Sequence, residues 1–289
     1  MRYHFMNAHR PEFRIETMCR VLEVSRSCYY YWRSHQSSFS SQKNVPLAAT
    51  IRAIHRHSKG TYGVRRVTAQ LRRQGILCNR KRVAKIMQDN QIRAKTKRRF
   101  KRTTHASTTR KASENLVQQN FVAERINQLW TSDMTYIWTR EGWLYLSVIL
   151  DVFGRRIVGY GMSRRLTAEL VTTALQSALT QRTVNGGMIF HSDRGSQYAS
   201  AEVRGILTNN NITQSMSSTG NCYDNAITET FFHTLKTEMV YWERFQTRDE
   251  ARRKIFEYIE VFYNRQRLHS SLGYRTPVEA EQDFLNQLQ

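Results

Sequence analysis

The sequence predicts an α/β protein: a mixed five-stranded sheet with flanking helices, preceded by all-α segments. Three observations carry this. Apolar residues recur at helical spacing through the first third of the chain, turn strand-like from about residue 121, and then alternate between helix and strand. Hydrophobic residues make up 40% of the 289, enough for a real core. Charge is split along the chain: residues 1–113 hold 27 Lys and Arg against four acids, and residues 114–289 hold 18 against 19. The formal net charge of +22 therefore belongs to the front half.

The first elements are two short helices within 13–32. Ile15, Met18, Cys19 and Leu22 form one apolar stripe, Ser25 suits an N-cap, and Tyr29 to Trp32 follow. This is either a helix-turn-helix or a plain helical hairpin. Residues 33–45 are polar and Ser-rich and read as a linker that closes an N-terminal segment, 1–45. A firmer unit spans 46–92. Pro46 suits a first helical turn, and Leu47, Ile51, Ile54 and His55 make the inner face. Val64, Val67 and Leu71 mark a second helix that Gly75 closes. Asn79 caps a third, with Val83, Ile86 and Met87 inward. Arg65, Arg66, Arg72, Arg73, Arg80, Lys81, Arg82 and Lys85 occupy the opposite faces. Three helices with a basic third one predict a helix-turn-helix DNA binder, with Arg65, Arg66, Arg80, Lys81, Arg82 and Lys85 as DNA contacts. Residues 93–120 read as a basic linker, its apolar periodicity lost from 93 to 113.

The last unit spans 121–289. Strands are predicted at Leu129–Trp138, Trp143–Leu150 and Ile157–Met162, with turns at Arg140-Glu141-Gly142 and Asp151–Gly154. A helix follows over Leu166–Gln181, a strand over Met188–His191, a helix over Ala199–Asn209 and a strand over Ile212–Met216. Two long helices, about 224–240 and 248–264, end the series.

Several function classes drop out. No apolar run approaches the roughly 18 residues of a membrane span, and no secretory leader is visible, so a cytoplasmic location is expected. Cys19, Cys28, Cys78 and Cys222 form no C-x-x-C pair, and the histidines are scattered, so neither a disulfide framework nor zinc is expected. A front half this basic points to a polyanion partner, nucleic acid above all, bound through counterion release.

Three acids stand where chemistry is plausible. Asp133 interrupts a run of β-formers, Asp193 follows the carboxyl end of the fourth strand, and Glu229 lies early in a helix. Converging carboxylates can hold two divalent ions, which activate an attacking oxygen and neutralise a leaving one in phosphodiester chemistry. Any one of them alone is more often a turn former or cap.

The spacing and flanks carry a resemblance. Asp133, Asp193 and Glu229, with 35 residues between the last two, resemble the D, D-35-E signature of retroviral-integrase-like transposases. "WTSDMTYI", "HSDRGSQY", "DNAITETFFHTLKTE" and "YNRQRLHSSLGYRTP" resemble the B-frame (OrfB) product of bacterial insertion sequences of family three, and the likeness covers nearly the whole chain. It implies an RNase H-like integrase catalytic core with Asp133, Asp193 and Glu229 as the catalytic, metal-binding triad. It implies Mg²⁺, with Mn²⁺ able to substitute. The implied partners are DNA (terminal inverted repeats and target), further copies of the chain on that DNA, and an upstream-frame OrfA product; the implied location is the bacterial nucleoid.

Other residues in these blocks can be weighed singly. Lys236 lies two helical turns beyond Glu229 and can reach a phosphate. Asn225 either caps its helix or touches DNA. His191, two before Asp193, either orients a metal ligand or a phosphate or is a satisfied core histidine. Gly195 suits a tight turn or close backbone approach. Tyr263, Asn264, Arg265, Arg267, His269 and Ser270 either bind DNA or seal the domain. Two other functions stay open: an RNase H-like nuclease or junction resolvase, which yields no joined products, and a DNA-binding regulator without metal-dependent cleavage.

Overall fold

The computed structural model describes residues 1–36, 39–95, 113–118, 120–184, 186–217 and 226–288. Helices α1 (Arg2–Ala8), α2 (Ile15–Val21) and α3 (Arg26–Gln36) gather around Met6, Met18, Cys19 and Tyr29. Sequence periodicity does not reveal α1, because it buries only Met6. The next helix, α4 (Phe39–His57), starts well before Pro46. The stretch read as a Ser-rich linker, 33–45, is thus corrected: α3 runs to Gln36 and α4 takes over from Phe39. The extension has no apolar stripe to read, and it is tied down from outside, by Arg82 donating from Nε (3.0 Å) and Nη2 (2.7 Å) to Asn44 Oδ1. Helices α5 (Val64–Arg73) and α6 (Arg80–Asp89) complete the three-helix unit. Asn79 caps α6 as expected, its side chain accepting from the Lys81 amide at 2.9 Å.

Among the described residues, five strands form one sheet in the order β3-β2-β1-β4-β5: β1 (Leu129–Thr139), β2 (Gly142–Asp151), β3 (Arg156–Ser163), β4 (Met188–Ser192) and β5 (Ile212–Met216). The meander β1–β2–β3 is antiparallel, and β4 and β5 join β1 in parallel. Parallel pairing needs crossovers, which α7 (Ala168–Gln181) and α8 (Ala201–Asn209) supply. This mixed order with helices on both faces is the RNase H-like fold.

Helices α7 and α8 cover one face, over Trp130, Ile149 and Val158. The approach of α7 to β3 is close: a Cβ on Gly159 would stand 2.4 Å from the Ala174 carbonyl oxygen, and one on Gly161 2.5 Å from that of Leu170. The other face, with Ile137, Leu144, Leu146 and Val148, lies under α9 (Ala226–Glu238) and α10 (Arg248–Phe256). The helix expected over 248–264 is continuous but widens to π-helical winding over Glu257–Tyr263. At its end the Asn264 side chain pairs with both backbone groups of Ile157, each at 3.0 Å. A last helix, α11 (Pro277–Gln287), opens on a capping box between Thr276 and Glu279.

The three-helix unit is not a separate bead. Ile51, Ile54, Val67, Leu71 and Val83 belong to the same apolar cluster as Phe262, Tyr263 and Leu268. Tyr62 donates its hydroxyl to the Gln266 carbonyl (2.9 Å) and accepts from the Leu268 amide (2.8 Å). Among the described residues, no helix is long and apolar enough to cross a membrane.

Candidate active site

The pairing of β1 with β4 ends at Ser132, one residue before Asp133. Asp133 thus sits where β1 leaves the parallel part of the sheet, and Asp193 directly follows β4 beside it. Each carboxylate is fixed by a backbone amide: Met134 N donates to Asp133 Oδ1 at 2.7 Å, and Gly195 N to Asp193 Oδ1 at 2.9 Å. The second contact explains Gly195, since a Cβ there would stand 2.9 Å from that same Oδ1. The contact is a close backbone approach and not a left-handed turn.

Glu229 lies in the first turn of α9, facing solvent. The helix is pinned at the residue before it: Thr228 Oγ1 donates to Thr131 Oγ1 at 2.8 Å, both buried. One hydrogen bond therefore sets the register of the Glu229 helix against the Asp133 strand.

Asp193 and Glu229 both lie within reach of the Asp133 charge. Burial first, then Asp193 and Glu229 as like charges, push the Asp133 carboxyl up to about 8, against the Met134 amide and the Lys236 ammonium, which lower it. Burial also raises Asp193. Among the described residues, no three His, Cys, Asp or Glu side chains are drawn close enough to chelate an ion as they stand. The donor set still suits a hard divalent cation: oxygen ligands only, from three separate elements, with a like-charge excess that a cation would relieve.

Two groups beneath the acids had no signal in the sequence. Tyr198 is fully buried, its hydroxyl 3.0 Å from Ser132 Oγ, and burial followed by the nearby Asp193 and Asp133 holds its phenol far above the usual range. Ser132 in turn donates to the Val148 carbonyl at 2.8 Å, so the pair braces β1 from below. Tyr198 was legible only as a tyrosine after a turn; its inward direction depends on the fold.

The remaining candidates divide. Lys236 is half-buried, close enough to Asp133 to act on its charge, with its ammonium 5.3 Å from the Tyr136 ring centre. His191 is fully buried, Nδ1 lying 2.9 Å from Ser215 Oγ and Nε2 3.4 Å from Ser217 Oγ. Those bonds make it a brace between β4 and the end of β5, the core-histidine alternative. Arg65, Arg80, Lys81, Arg82 and Lys85 are exposed on α5 and α6. Arg66 is not on that surface, contrary to its expected role: it turns inward to Glu238 Oε1 at 3.4 Å. Glu238 also takes two hydrogen bonds of 2.8 Å from the buried Arg267 and one of 2.9 Å from Tyr258. Asn264, Arg267 and His269 of the C-terminal polar motif are buried and seal the domain. Asn225 and residues 96–112 of the basic linker lie outside the described residues.

Comparison with known proteins adds the family. The family described as "Integrase core domain" matches residues 123–222, a second of that description matches 229–285, and "HTH-like domain" matches 42–100. Transposase InsF for insertion sequence IS3A of Escherichia coli (strain K12) is 42% identical over 283 residues, covering 97% of this chain and 98% of that one. The chain belongs to the IS3 family of transposases. Another similar protein, the insertion element IS600 uncharacterized 31 kDa protein of Shigella sonnei, is 43% identical over 267 residues, 92% of this chain and 98% of its own. Among solved structures, the catalytic core domain of BIV integrase aligns at TM-score 0.43 and 19% identity, over 56% of this chain and 99% of that one. A chain of the simian T-cell lymphotropic virus intasome aligns at 0.46 and 16%, over 74% and 70%. This transposase is accordingly a DDE-type enzyme with a DNA-binding helical unit and an integrase-type core.

Proposed function

We propose that this transposase cuts the DNA at insertion-sequence ends and joins the freed strand to a target, with Asp133, Asp193 and Glu229 as its metal-holding residues. The observation that supports this most is that Asp193 and Glu229 both act on the charge of Asp133 at the end of the β1–β4 pairing, in a chain of transposase family. Bound there, a divalent cation (Mg²⁺, with Mn²⁺ as substitute) supplies activation of the attacking oxygen and charge neutralisation at the leaving one.

The chain's own groups do the rest. The amides of Met134 and Gly195 fix the direction of the Asp133 and Asp193 carboxylates. The Thr228–Thr131 bond holds Glu229 in register with them. Lys236 neutralises a phosphate of the strand at the site. No covalent protein–DNA intermediate is needed, since water and then a DNA 3′-hydroxyl attack in turn. Arg65, Arg80, Lys81, Arg82 and Lys85 hold the terminal repeats by phosphate contact. Asn225, four residues before Glu229 in the sequence, is a further DNA contact. A second copy of the chain and an upstream-frame OrfA product complete the assembly, which works on nucleoid DNA.

Asp193→Asn tests the assignment. End cleavage and joining in Mg²⁺ fall about a thousandfold or more, while gel-shift binding of terminal-repeat DNA persists. Normal joining by this variant would overturn the triad.

A further inference from the structure

From Asp133 onward no strand pairs with the outer edge of β1 among the described residues, since β4 stops at Ser132. An unpaired strand edge is normally blunted with charge or covered. Here it carries aromatics. Tyr136 is 52% exposed, Trp138 58%, and Trp143, opposite Trp138 across the hairpin, 43%. The three share one sheet face, the one that α7 and α8 cover only near Trp130 and Ile149. Their rings are set against one another, Tyr136 to Trp143 at 5.0 Å and 83°, Trp138 to Trp143 at 4.8 Å and 72°. Edge-to-face packing of this kind holds ring faces ready at small entropic cost.

Cations stand at the rim of the shelf. Lys236 reaches round the free edge to lie over Tyr136. Arg248 donates from Nε to the Trp143 carbonyl at 3.0 Å, and Arg140 is exposed at the hairpin turn. Glu141 is the acid among them, accepting from the Arg248 amide at 2.9 Å. Stacking faces flanked by cations are the composition that unpaired nucleic acid selects.

The shelf begins beside the chemistry. Alternation along β1 sets Asp133 and Tyr136 on opposite faces, but Lys236 acts on the charge of Asp133 and lies 5.3 Å from the Tyr136 ring centre, so the two meet at the unpaired edge of β1.

We propose that Tyr136, Trp138 and Trp143 form a stacking shelf for unpaired DNA bases that pass over the edge of β1 from the phosphate at the carboxylates. The proposal rests on the transposase reading above and names the form of DNA that this part of the site takes. The transposase opens the duplex next to the cut and holds the released bases against the β1–β2 hairpin.

The test uses the full chain and an oligonucleotide of about 15 nucleotides bearing one 2-aminopurine, single-stranded or annealed to its complement. The wild type quenches the probe in the single strand. The Trp138→Ala/Trp143→Ala double variant restores its fluorescence and lowers the ratio of single-strand to duplex affinity about tenfold. The Trp138→Phe/Trp143→Phe variant keeps most of both effects, which separates stacking from a folding defect. An unchanged ratio and unchanged quenching in the alanine variant overturn the shelf. So does a change from dimer to monomer on sedimentation with the ratio intact, which assigns the face to a second copy of the chain. A parallel joining assay in Mg²⁺ separates the two readings: joining that depends on Asp193, with no aromatic effect on the probe, removes the shelf and leaves the transposase mechanism. The converse result removes the mechanism and leaves the shelf.

Discussion

Asp133 is held at a disadvantage by its surroundings: part-buried, with Asp193 and Glu229 adding like charge. A fold keeps such an arrangement when function needs it, so removing it should exchange activity for stability. Asp133→Asn keeps the shape and drops the charge. In chelator, this variant should be more stable than wild type by about 1 kcal/mol in denaturant titration. Mg²⁺ should raise the melting temperature of wild type, as any ligand of the folded state does, and leave the variant unmoved. A wild type indifferent to Mg²⁺ would remove the three acids as its site. At this scale the sequence was informative where spacing alone carries meaning: the interval from Asp193 to Glu229 survives without any knowledge of the fold. It was silent where the direction of a side chain decides. Arg66 and its neighbour Arg65 look alike in sequence, yet one helical step turns Arg66 onto Glu238 and leaves Arg65 in solvent.

Among elements, the junction of α7 with β3 leaves the least room for change. Gly159 and Gly161 alternate on one face of β3, and the α7 backbone fills the space where their side chains would be. Gly159→Ala would set a methyl 2.4 Å from the Ala174 carbonyl oxygen and 2.7 Å from the Ala178 amide nitrogen, so the helix must move as a body. The expected loss is about 3 kcal/mol, measured by urea unfolding, whereas Gly205→Ala on α8, with open space around it, should be neutral or stabilising. Equal stability of the two variants would show that α7 can shift freely. The strands and α5 to α8 were legible because each alternates or repeats its apolar residues at a fixed period. The start of α4 and the whole of α1 were not, since neither buries a stripe. The start of α11 could have been read from its Thr-Pro-x-Glu sequence, a capping signal that needs no periodicity.

For the whole molecule, the two halves separated by charge in the sequence are joined by burial in the fold. The basic helices would be expected to swing on a linker, but α5 packs onto the C-terminal part of the core through one apolar cluster and a buried polar knot. That knot contains Arg66 from the helical unit, Glu238 from the helix that carries Glu229, and Arg267. Composition could not show this, because contacts such as Tyr62 to Leu268 join residues far apart in sequence. His269 reports on the knot. It is buried beside Arg267, whose Nη1 lies 3.3 Å from its Nε2, and burial first, then Arg267, Arg66 and Arg155, hold its acid form down to about 2. The unfolded histidine titrates at about 6.5, so on acidification the unfolded chain gains a proton that the folded one refuses. Stability due to this group is therefore intact above about pH 6.5 and is lost as pH falls below it, by up to about 1.4 kcal/mol per unit. Gln at this position can accept the Arg267 hydrogen bond and does not titrate. The stability of His269→Gln should fall less steeply than that of wild type between about pH 6.5 and 4.5. Because the knot spans both halves, the acid-weakened wild type should lose the helical unit and the core in one transition, with hydrogen exchange at α5 and at β2 released at the same midpoint. Release of α5 at a milder pH than β2 would show that the DNA-binding helices are hinged to the core after all.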